Sequence, residues 1–126
     1  MVRQIIATDD APSSPLFSQG VRVGSTIQVS GMVGADARTG TLPETIQEQT
    51  LQSLRNCEAV LAAGGASFDD VTLVTVLLAD PADFAGMNEA YGQVFGGSPP
   101  ARAVARLGPE LPGIRVSIMM TALLDV

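Results

Sequence analysis

The residues of this chain best equipped to hold a ligand are its late arginines. No basic residue lies between Arg55 and Arg102, and then Arg102, Arg106 and Arg115 fall within fourteen residues. On an extended strand Arg102, Val104 and Arg106 point to one face. The planar guanidinium fork pairs bidentately with a carboxylate. In a chain of net charge −6 such an arginine can anchor a small anion. The plainer role, an ion pair with one of the 13 acids, needs no ligand.

The absences narrow the chemistry further. There is no histidine and no lysine, which removes a His general base, a Ser-His-Asp triad and a Schiff-base lysine. One cysteine, Cys57, makes neither a disulfide framework nor a Cys-type zinc site. No GxxxxGK[ST] occurs, so no P-loop is expected. Arginine, carboxylates, hydroxyls, backbone groups and water must do any chemistry, with no metal or other cofactor.

Those arginines need strands to carry them. The pattern predicts strands over Arg3–Ala7, Phe17–Val23, Thr26–Ser30, Val71–Leu78, Ala101–Leu107 and Arg115–Leu123. Gly24-Ser25 is a two-residue hairpin signal, and Gly31–Leu42 reads as loop. Pro43–Ala63 reads as helix, with Ile46, Thr50, Leu54, Cys57 and Leu61 on one stripe. Asp80-Pro81 opens a second helix through Phe84, Met87, Tyr91 and Val94, stopped at Gly96-Gly97. The order βββαβαββ makes an α+β fold, with one mixed sheet and both helices on one face.

The 126 residues fit a single domain over 1–126. Hydrophobic residues make up 46%, more than a domain this small can readily cover, so its second sheet face is expected to be buried against other copies. No apolar run is long enough to span a bilayer and the first residues lack a leader's apolar core, so a cytoplasmic location is expected. The pI near 4.3 argues against a nucleic-acid partner.

Several segments, in order, resemble the YjgF/RidA family. Pro100-Ala101-Arg102-Ala103-Val104 is similar to its C-terminal signature. Pro15-Leu16-Phe17-Ser18-Gln19-Gly20 resembles its GPYSQ-type segment, and Val29-Ser30-Gly31 its SG turn. Asp83 to Tyr91 resembles its second helix. The resemblance implies a chorismate-mutase-like fold and a homotrimer around a central β-barrel, with ligand clefts between subunits. It implies hydrolysis of enamine and imine intermediates to 2-keto acids and ammonia. It assigns Arg102 to the substrate carboxylate and puts Ser30 and Gly31 where the family lines its cleft, a place where a turn would also call for glycine. Phe17 reads as an apolar wall of the pocket and Val104 as a cleft residue two positions after Arg102, while Asn88, between Phe84 and Tyr91, either lines the cleft or caps a neighbouring loop.

Three positions depart from the deaminase pattern. Ser117 stands where a water-activating glutamate is expected, and serine holds water without being a base near neutral pH. Phe17 replaces a tyrosine and Val104 a cysteine. Glu110 is a candidate substitute acid; Cys57 sits on the helix stripe and reads as core. An imine deaminase and a non-catalytic trimer that binds small carboxylates therefore both stand. The endoribonuclease label also attached to the family fits poorly with an acidic chain lacking histidine and lysine.

Overall fold

The computed structural model describes residues 2–125. Alternating and continuous apolar runs form six strands: β1 (Gln4–Ile6), β2 (Gly20–Val23), β3 (Thr26–Val33), β4 (Val71–Leu78), β5 (Ala101–Arg106) and β6 (Val116–Leu123). Helices α1 (Ile46–Ala63) and α2 (Phe84–Val94) complete the βββαβαββ order. The strands form one sheet in the order β1-β2-β3-β6-β4-β5. Only β4 and β5 run parallel, joined by a crossover through α2.

Register sorts the side chains. Val74, Val76, Val116, Ile118, Met120 and Ala122 lie on the face that α1 and α2 cover, and all are buried. The whole expected α1 stripe, Ile46, Thr50, Leu54, Cys57 and Leu61, is buried against them. On the opposite face Ile5, Val23, Leu73, Met119 and Leu123 are 37–55% exposed. They follow the register of Gln28, Thr121 and Leu77, and among the described residues no helix covers them.

Boundaries shift for identifiable reasons. α1 begins at Ile46 rather than Pro43, because Thr45 is the N-cap: its hydroxyl accepts from the Glu48 amide at 3.1 Å. Phe17 lies outside β2, in an isolated bridge with Ser14. Short 3-10 turns at Phe68–Asp70 and Pro81–Asp83 precede β4 and α2. Phe84, expected on the α2 core stripe, is 47% exposed because it leans out beneath Arg102.

The largest departure is in β3, which continues through Gly31 to Val33. Val29 pairs with Met120 and Met32 with Ile118, so Ser30 and Gly31 together oppose Met119. This two-against-one bulge lets odd-numbered Ile27 and Val29 and even-numbered Met32 all face the core.

Buried amides fasten the loops around the sheet. Gln49 donates to the Pro43 and Gly113 carbonyls, both at 2.8 Å, and accepts from the Arg115 amide at 2.9 Å. It thereby joins the entry of α1 to the entry of β6. Arg115 also donates to both Asp83 carboxylate oxygens at 3.1 Å, which ties β6 to the start of α2.

Candidate functional site

Arg102 sits on the edge strand β5 and pairs in register with Val74, so its side chain lies on the helix side of the sheet. There α2 builds it a seat. Its Nη1 donates to Asn88 Oδ1 at 2.7 Å and lies 3.9 Å from the Met87 sulfur. The guanidinium carbon stands 4.7 Å from the Tyr91 ring centroid and 6.0 Å from that of Phe84. Phe84, Met87, Asn88 and Tyr91 recur at three and four residues and share one helix face. The guanidinium remains exposed, with its other nitrogens free to form a fork toward an anion.

Asn88 therefore touches Arg102 itself. Tyr91 is the Arg102 contact that the sequence pattern hid: its spacing marks it as core, and it is 94% buried yet stacks under the cation. Burial raises its phenol above the ordinary tyrosine range, and the Arg102 charge pulls it back. The same spacing that assigns Tyr91 to the core places it one turn beyond Asn88, and this was the available signal.

A second group of residues gathers at the bulge. Ser117 is 7% exposed and pairs with Val33 and Leu77, which puts it on the open face. A Cβ added to Gly31 would come within 2.7 Å of Ser117 Oγ, so the bare glycine and the hydroxyl meet. The Ser30 hydroxyl donates to the Ser18 carbonyl, and its amide donates to the Gln19 carbonyl at 2.9 Å. Both Ser30 donors are thus engaged within the chain; lone pairs on its oxygen remain as acceptors. Buried Gln19 braces this corner, donating to the Thr8, Ala11 and Pro12 carbonyls and accepting from the Thr8 amide at 2.7 Å. Phe17 leans out beside it, 48% exposed.

Val104 is partly buried against the core, on the Arg102 side of β5. Arg106 and Glu110 line a loop cleft of about 460 Å³, which neither Arg102 nor Ser117 lines. Cys57 is fully buried, its thiol donating to the Ile118 carbonyl at 3.4 Å; burial pushes its pKa far above the ordinary thiol range. Among the described residues no cluster of His, Cys, Asp and Glu could hold a metal ion, and no helix is long and apolar enough to cross a membrane.

The Endoribonuclease L-PSP family model matches residues 8–124. The chain belongs to the YjgF/RidA family. Its relatives in that family include the mouse 2-iminobutanoate/2-iminopropanoate deaminase, 42% identical over 120 residues, or 94% of this chain and 89% of that one. The human protein of the same name is 38% identical and covers 98% of this chain and 91% of its own. Among solved RidA-family structures, Escherichia coli TdcF with bound serine superposes with a TM-score of 0.90 at 32% identity, covering 97% and 99% of the two chains. RidA from Psychrobacter sp. PAMC 21119 gives 0.89 at 35% identity, with 96% and 99% covered.

Proposed function

We infer that this protein binds small 2-imino and 2-keto carboxylates and hydrolyses the imines to 2-keto acids and ammonia. The observation that carries the reading is the seated Arg102, an exposed guanidinium oriented by Asn88 and stacked on Tyr91. Relatives named as imine deaminases support it.

The reaction asks little of the protein. An imine carbon is already electrophilic, so orienting it against one water is most of the task. Arg102 holds the carboxylate. Water adds to the C=N carbon and one of its protons passes to nitrogen; the remaining hydroxyl proton of the carbinolamine then passes to the amine, which leaves as ammonia as the keto group forms. Ser117 and the Ser30 oxygen supply hydrogen-bonding sites for that water and for the departing amine.

Arg102 and Ser117 belong to opposite faces of the protomer, so the complete cleft joins the Arg102 side of one copy to the Ser117 side of another. The uncovered apolar residues Ile5, Val23, Leu73, Met119 and Leu123 support burial of that face in a homotrimer. Light scattering tests this: a monomer at working concentration removes the shared cleft.

The absence of a glutamate at Ser117 favours a second reading, carboxylate binding without turnover. Hydrolysis of freshly generated 2-iminobutanoate separates the two, with wild type, Arg102→Ala and Ser117→Glu side by side. Acceleration by wild type and its loss in Arg102→Ala support the deaminase. An inactive wild type with an active Ser117→Glu supports the binding protein, and no effect of Arg102→Ala on either binding or rate removes the anchor.

A further inference from the structure

Beside Arg102 the same strand walls a cleft of about 390 Å³, lined by Leu78, Pro81, Phe84, Val104, Ala105 and Arg106. Phe84 connects the two features: its ring lies 6.0 Å from the guanidinium carbon and also forms a wall of the cleft. Val104 stands two residues along β5 on the same face as Arg102, roughly 7 Å away. A carboxylate held by Arg102 therefore has this cleft within reach of the carbons attached to it.

Five of the six lining residues are apolar, which sets the chemistry of what fits. The sixth, Arg106, lies between this cleft and the loop cleft that also contains Glu110. A distal carboxylate would find Arg106 as its one charged partner there and would leave the five apolar walls wet. An apolar group would displace water from apolar walls. The volume lies in the range of ligand-sized clefts, ~300–1,000 Å³, and the methyl or ethyl group of a three- or four-carbon imino acid fills little of it.

We propose that this cleft receives the substrate's side chain, with Val104 and Phe84 setting its size, so that the protein favours 2-imino acids bearing branched or aromatic apolar side chains. The proposal rests on Arg102 as the carboxylate anchor. Each methylene buried multiplies affinity about fourfold, so a side chain three carbons larger gains tens-fold where the fit is good.

The test is a substrate series on the intact protein. Imines are generated in situ by amino-acid oxidases from alanine, 2-aminobutyrate, leucine, phenylalanine and glutamate, and their decay is followed by trapping with semicarbazide. The leucine- and phenylalanine-derived imines are expected to give kcat/KM at least tenfold above the alanine-derived one. Val104→Phe, which fills the cleft, is expected to reduce that ratio at least tenfold, and the gentler Val104→Met to reduce it part-way. A flat or falling series, a preference for the glutamate-derived imine, or a ratio unmoved by both variants overturns the proposal while leaving the deaminase reading intact. If no imine is hydrolysed, that reading falls alone, and calorimetry decides the cleft: 4-methyl-2-oxopentanoate must bind at least tenfold tighter than pyruvate, and equal binding overturns it.

Discussion

Arg102 and Ser117 lie on opposite faces of one sheet. Arg102 pairs with Val74 and Ser117 with Leu77, three residues apart on the shared neighbour β4, and an odd offset reverses the side. The strands that carry them are two ladder spacings apart, roughly 10 Å. No side-chain rotation within one protomer brings the Arg102 guanidinium and the Ser117 hydroxyl together.

The Asn88 contact tests the proposed role of Arg102 in holding a carboxylate. Asn88→Ala frees Nη1 and loosens the guanidinium, and is expected to raise KM roughly three- to tenfold with a smaller change in kcat. Asn88→Asp introduces a carboxylate that competes with the substrate for the same fork, and should raise KM further. Steady-state kinetics on one imine, or calorimetry with one 2-keto acid, orders the two variants.

Among the described residues the buried Tyr91 hydroxyl has no hydrogen-bond partner. Removing an unsatisfied buried group relieves its desolvation cost, so Tyr91→Phe is expected to raise stability by about 1 kcal/mol in urea melts. The ring still stacks beneath Arg102. The pH dependence follows from the raised phenol: the neutral form is favoured in the fold, so this contribution is complete below pH ~10 and is lost as pH rises through the higher folded value. The phenylalanine variant lacks that alkaline loss.

Gly31 and Ser117 should behave as a coupled pair. Gly31→Ala places a methyl within 2.7 Å of Ser117 Oγ and is expected to destabilise by about 1–3 kcal/mol. Ser117→Ala removes the obstructing oxygen, so the double variant should recover much of that loss. Additive effects in denaturant melts would show that the two do not meet.

Cys57 should be silent in the native protein. Its thiol is fully buried and its thiolate strongly disfavoured. Alkylation by a neutral maleimide at pH 8 is expected only at the rate of opening, and rapidly in 6 M guanidinium chloride. Fast labelling under native conditions would contradict the packing of α1 on Ile118.

Much of this was legible in the sequence because the strong elements announce themselves. The α1 stripe from Ile46 to Leu61 and the apolar run Val71–Leu78 left little choice of structure. Arg102 stood out because it opens a late group of three arginines after a long stretch from Arg55 without positive charge. Boundaries were less legible where a side-chain hydrogen bond decides them, as at the Thr45 cap. The bulge was hidden because glycine after serine reads as the end of a strand. Tyr91 was hidden because a residue that packs the core and supports a cation has the same spacing as one that only packs.

The bulge has a further consequence. Opposite Met119 the chain holds one residue more than the ladder needs. Losing either Ser30 or Gly31 would restore ordinary alternation and leave Val29 and Met32 paired as regular neighbours. Ser30, however, ties β3 to the Ser18 and Gln19 carbonyls with both of its donors, so a survey of deletions across a variant library should find the loss of Gly31 tolerated for folding more readily than the loss of Ser30.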